Sequence, residues 1–144
     1  MLYHVPDRDQ ALSEICRVLK TEGSFYASTV GQRHLQEIAD LVGRFDPQQV
    51  WGGARLADSF VLENGAAQLA HWFMDVTLHR YEDSLLVTEL APLIDYILSG
   101  RLKLAVDQQL EFANFVSQEF RRLDGEFYIT KDSGVFVSHH SLQS

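Results

Sequence analysis

The chain has 144 residues, 46% hydrophobic and 22% charged, enough to bury the core of one ordinary soluble domain. A formal net charge of −8, with Arg121-Arg122 the only adjacent basic pair, excludes a general nucleic-acid binder and a cationic membrane-surface helix. The single cysteine, Cys16, permits no intrachain disulfide, and no apolar stretch approaches membrane-spanning length, so a cytoplasmic location is expected.

Asp7 can cap a helix over Arg8 to Lys20, with Gln10 three residues on to complete a capping box. Ala11, Leu12, Ile15, Val18 and Leu19 give that helix one apolar stripe. After a turn ending at Gly23, Phe25 to Thr29 reads as a strand covered on both faces. A second helix is expected over Gln32 to Arg44, with Leu35, Ile38, Ala39 and Val42 on its inner side. Helix, turn, strand and helix in this order suggest the repeating unit of a parallel α/β sheet.

Asp46 to Asp58, with Pro47 and Trp51-Gly52-Gly53, is the least regular stretch and reads as a surface excursion or lid. Asn64-Gly65 opens a short helix over Ala66 to Phe73 that presents Leu69 and Phe73 inward. Asp75 to Glu82 alternates as a strand, and Leu85 to Thr88 continues as a second short strand or extended segment. Pro92 suits a helix first turn, and Gly100 ends that helix after Leu93, Ile94, Ile97 and Leu98. The longest helix is marked by Val106, Leu110, Ala113, Val116, Phe120 and Leu123, with Asp107, Gln108, Glu111, Gln118 and Arg122 on the wet side. Phe127 to Thr130 and Val135 to Ser138, flanking Asp132-Ser133-Gly134, predict a C-terminal β-hairpin. No repeat or linker interrupts the chain, so residues 1–144 read as a single domain.

Four patterns together carry a family resemblance. Met1-Leu2-Tyr3-His4-Val5-Pro6-Asp7 resembles the loop after the fourth strand of class I S-adenosylmethionine-dependent methyltransferases. Arg17-Val18-Leu19-Lys20 followed by Gly23 is similar to that family's turn before the fifth strand, with Thr21-Glu22 in place of the usual Pro-Gly. Phe25 to Thr29 looks like the fifth strand itself, and Arg80 to Thr88 with the following helix and hairpin resembles the C-terminal part of the small-molecule (type 11/12-like) branch. The resemblance implies a partial Rossmann-like sheet, with strands corresponding to the fifth to seventh and flanking helices. It also implies S-adenosylmethionine as cofactor, a small-molecule methyl acceptor, and Leu2, Tyr3 and His4 as the positions facing the cofactor.

Methyl transfer asks mainly for in-line positioning of an already activated sulfonium. In that setting His4 is the candidate catalytic base, while its commoner role at such a position is to cap or pack the following helix. The sequence contains no Gly-x-Gly-x-Gly after a strand, the loop that lets a backbone approach such a cofactor. The chain therefore reads as the C-terminal portion of a methyltransferase, expected to be inactive and cofactor-free alone. The alternative is a non-catalytic binding or dimerisation domain derived from one. A third arrangement has a separate chain supply the missing half.

An unpaired edge on the Phe25–Thr29 strand predicts a homodimer through that sheet edge. No metal site is expected. His139-His140 would point to opposite sides of a strand, and neither His71 nor His79 has a carboxylate at chelating spacing. Cys16 reads as a small buried hydrophobe, Glu82-Asp83 as a charged strand end or turn, and Phe112, Phe115, Phe120, Phe127 and Phe136 as core or interface.

Overall fold

The computed structural model describes residues 2–52, 59–100, 102 and 104–141. The chain divides into two compact units: Met1–Gln32, Leu56–Glu82 and Asp132–Ser144 form the first, and Arg33–Arg55 with Asp83–Lys131 the second. It is mixed α/β, with helices flanking a three-stranded open sheet. No helix among the described residues is long and apolar enough to cross a membrane.

In the first unit a 3-10 turn, Leu2–His4, precedes α1, Arg8–Val18. The Asp7 side chain accepts the Gln10 amide at 2.9 Å, which caps the first turn of α1. Leu12 and Cys16 are the buried residues of α1, and Val18, placed by its spacing in the apolar stripe, is exposed. The difference arises because the chain leaves the helix at Leu19, whose side chain reaches the core in its place. β1, Ser24–Val30, buries Ala27 and Thr29 and exposes Tyr26 (65%), so this strand is covered on one face rather than two. α3, Gly65–Leu69, is shorter than expected, but Leu69 and Phe73 both point into the core. Gly65 lets the Phe136 ring approach, since a Cβ there would lie 2.5 Å from it.

The second unit is built on α2, Gln36–Phe45, α4, Leu90–Ser99, and α5, Val106–Arg122. α2 starts four residues later than the periodicity predicts. Leu35 adopts a left-handed φ of 59°, with its amide bonded to the Thr130 carbonyl at 2.8 Å, and so stands outside the helix. Ile38, Leu41 and Val42 are its buried positions. On α5 the expected stripe is rotated: Val106 (83%) and Leu110 (70%) are exposed, while Phe112 and Val116 are buried with Phe115 and Phe120 packed beside them. The two stripes share Val116 and Phe120, and the larger aromatic area of Phe112 and Phe115 decides between them. Trp51, expected on a surface excursion, is instead buried, and its indole N–H donates to the Ile97 carbonyl at 3.3 Å. Residues 53–58 of that stretch lie outside the described residues.

The strand order is β1-β3-β2, where β2 is Phe73–Val87 and β3 is Phe127–Ser141. β1 pairs antiparallel with β3, from Ser24 opposite His139 to Val30 opposite Ser133. β2 also runs antiparallel to β3, with Gly134 against the backbone of His79 and Arg80 and Lys131 near Asp83. β1 and β2, on either side of β3, are therefore parallel to each other. The expected parallel sheet is corrected accordingly: every neighbouring pair is antiparallel, because the last strand inserts between the other two.

The expected C-terminal hairpin is absent. Asp132-Ser133-Gly134 lies inside β3, Ser133 and Gly134 pair with Val30 and Thr29, and Gly134 has no positive φ. Asp75–Glu82 and Leu85–Thr88 are likewise one strand, β2. One cause explains both errors. In β3 the buried residues are Phe127 and Ile129 in the second unit, then Asp132, Phe136 and Ser138 in the first, so the parity of burial changes along one strand. In β2, Val76 and Leu78 serve the first unit's core and Val87 the second's. A break in alternation mimics a turn when a single strand supplies two cores.

Candidate functional site

The three positions implied to face a cofactor separate in the structure. Leu2 is taken up in the first unit's core with Leu12 and Ala27. The Tyr3 carbonyl accepts the Ser59 hydroxyl at 3.2 Å, and its ring lines a groove of about 330 Å3. Ser28 and Thr29 of β1, Tyr81 of β2 and Ser133 of β3 line the same groove. His4 is exposed, its ring 4.4 Å from that of Tyr3, and it is not among the groove's lining residues. The turn that raises Tyr3 is closed by the Val5 amide donating to the Leu2 carbonyl at 3.1 Å, with Leu2 as its apolar anchor.

Beside this groove stands a charged cluster that spacing did not single out. The Asp132 side chain is 0% exposed and accepts Arg80 Nε at 2.8 Å and Nη2 at 2.6 Å. Nη2 also donates to Glu63 Oε1 at 3.3 Å, and the Gln32 amide donates to both Glu63 oxygens. The Asp132 hydrogen bond holds the Arg80 guanidinium still more firmly protonated than usual. Gly31 makes the arrangement possible, because a Cβ there would sit 2.0 Å from Asp132 Oδ2. A signal existed in the sequence: Asp132 is in phase with Phe136 and Ser138, and Arg80 with Val76 and Leu78.

In the second unit Glu37, in the first turn of α2, accepts the Thr130 amide at 2.8 Å and the Thr130 hydroxyl at 2.5 Å. Partial burial pushes this carboxyl up, but the two Thr130 bonds, with smaller help from its own amide and Gln36, outweigh it and hold the pKa below the ordinary value. A depressed folded-state value gives stability that is present above the ordinary carboxylate range and lost as pH falls through the lowered value. Glu37→Gln is expected to cost roughly 1.5 kcal/mol at neutral pH, since hydrogen bonds to a charged acceptor are lost. The gap between variant and parent in thermal unfolding should narrow as pH falls below the ordinary carboxylate range. A gap independent of pH would show that the charge does not matter.

Other expectations concern single residues. Cys16 is buried, its thiol 3.8 Å from the Trp72 carbonyl. Glu82 and Asp83 lie within β2 rather than at a strand end or turn, Glu82 3.8 Å from Arg80 and Asp83 3.8 Å from Lys131, so they do not converge. Among the described residues no three His, Cys, Asp or Glu side chains gather as a metal site. His71 and His79 are exposed, and His139 Nδ1 shares a 2.9 Å hydrogen bond with the Ser24 hydroxyl. Phe112 and Phe127 belong to the second unit's core and Phe136 to the first's.

The residues around Tyr3 do not fit S-adenosylmethionine by themselves. The described lining of the groove offers aromatic rings, hydroxyls and an imidazole but no carboxylate to accept the two ribose hydroxyls. No family model matches the chain, and no curated protein matches it. The methyltransferase resemblance thus rests on the motifs of the sequence.

Proposed function

We propose that this chain forms the C-terminal part of an S-adenosylmethionine-dependent methyltransferase-like fold, with a partial Rossmann-like sheet, and acts on a small molecule only when joined by a cofactor-holding half. The observation that carries this reading is the outer edge of β1. Gly31 donates its amide to the Asp132 carbonyl at 3.0 Å, so alternation turns the amides of Ser24, Tyr26, Ser28 and Val30 the other way. The Val30 carbonyl accepts the Leu62 amide at 3.1 Å, and among the described residues no strand pairs with the rest of that side. The resemblance puts the fourth strand on that side. The parallel relation of β1 and β2 and the position of Tyr3 support the same reading. His4 is its candidate base, exposed next to Tyr3.

The same edge favours a second reading, a non-catalytic domain that dimerises. An open edge with an exposed aromatic, Tyr26, is a template for another strand, and a two-fold copy can cover it. Both readings are tested by sedimentation at tens of micromolar chain with S-adenosylmethionine present. The expected boundary is that of a homodimer carrying no cofactor absorbance. A boundary that carries stoichiometric cofactor overturns the requirement for a second half, and a strict monomer overturns the dimer.

A further inference from the structure

The second unit carries a half-open pocket of about 310 Å3, within the size range of small-molecule sites. Its walls are mainly aliphatic, with Ile38 of α2, Leu93 of α4 and Ile129 of β3 facing the space. Apolar walls of this kind gain by exchanging water for an apolar body. The polar groups of the lining are His34, Tyr96 and Lys131, and each carries an N–H or O–H donor. No carboxylate is among the described lining residues. Lys131 does have an acidic neighbour, Asp83, but the pair is 3.8 Å apart with side chains 37% and 42% exposed. A contact that long and that wet contributes little, so the ammonium can turn to another acceptor at small cost.

We infer that this pocket binds a small carboxylic acid with an apolar body, its carboxylate on Lys131 and its body against Ile38, Leu93 and Ile129. The charge complement decides the class. A carboxylate answers the donor-bearing polar groups, whereas a cationic ligand would face the like charge of the Lys131 ammonium. The inference is independent of the methyltransferase reading, since it needs neither the cofactor nor β1.

The test is a titration of the full chain with naphthalene-2-carboxylate, followed by methyl NMR. One saturable site is expected, with shifts at Ile38, Leu93 and Ile129. Lys131→Gln should weaken binding about tenfold, and naphthalene-2-carboxamide should bind the unaltered chain about tenfold more weakly than the acid. The carboxamide comparison holds even if the variant fails to fold. No saturable shift at millimolar probe, shifts confined to other methyls, or equal binding of acid and amide would each overturn the assignment.

Discussion

Replacing Arg80 with methionine is expected to cost the chain about 3–5 kcal/mol, read as a lowered urea midpoint at unchanged slope. The reason lies in the partner. Asp132 has no exposed side-chain surface and takes two hydrogen bonds from Arg80, so the variant strips a buried carboxylate of both bonds and of the guanidinium charge that makes them. The guanidinium itself is 36% exposed, which favours the lower end of the range. Adding Asp132→Asn to the methionine variant should recover much of the loss, because a neutral amide is cheaper to bury than a carboxylate. With Asp132→Asn alone as the third variant, the set forms a double-mutant cycle for the cluster. A loss below about 1 kcal/mol for Arg80→Met would mean that Asp132 does not depend on this partner.

The second large effect is expected at Phe136. Its ring is fully buried, stands edge-on to Phe60 at 5.6 Å and occupies the space that Gly65 leaves open. Phe136→Ala should cost about 3–5 kcal/mol, the range for emptying an aromatic site in a core that relaxes only in part. Val137, one residue on, is half-buried and points to the other face of the strand. Val137→Ala should cost less than half as much, and comparable losses at the two positions would contradict the parity of β3. Chemical denaturation followed by circular dichroism measures both.

The cluster and the strand share a lesson about legibility. The Asp7 cap, α1 up to Val18 and the helix ending at Gly100 follow from signals a few residues long, and the structure has them where the sequence places them. Capping and turn chemistry act within one or two turns of chain, so local sequence is enough. Asp132-Ser133-Gly134 shows the limit. As a tripeptide it is a good turn, yet in β3 it is held extended by Val30 and Thr29 on one side and by Arg80 on the other. Those partners lie about 50 to 100 residues away, and no local propensity encodes them.

The candidate site divides in the same way. Tyr3 lines a groove, while Leu2 from the same motif lies in the core and His4 is exposed outside the groove. Glu63 and Lys131 carried no motif, the motif that contains Arg80 gave it no role, and the pairing of β2 with β3 brings Arg80 to Asp132 and Lys131 to Asp83.

The sequence by itself determined the α/β class, most helix positions, the burial of Cys16 and the absence of a glycine-rich cofactor loop from these 144 residues. Only the tertiary structure decided that β3 inserts between β1 and β2, that it is one strand rather than a hairpin, and that a buried carboxylate sits where a turn was expected. The physical reason is range. Helices and caps are satisfied by neighbours in sequence, whereas a strand's hydrogen bonds and the face it buries are settled by whichever distant segments lie beside it.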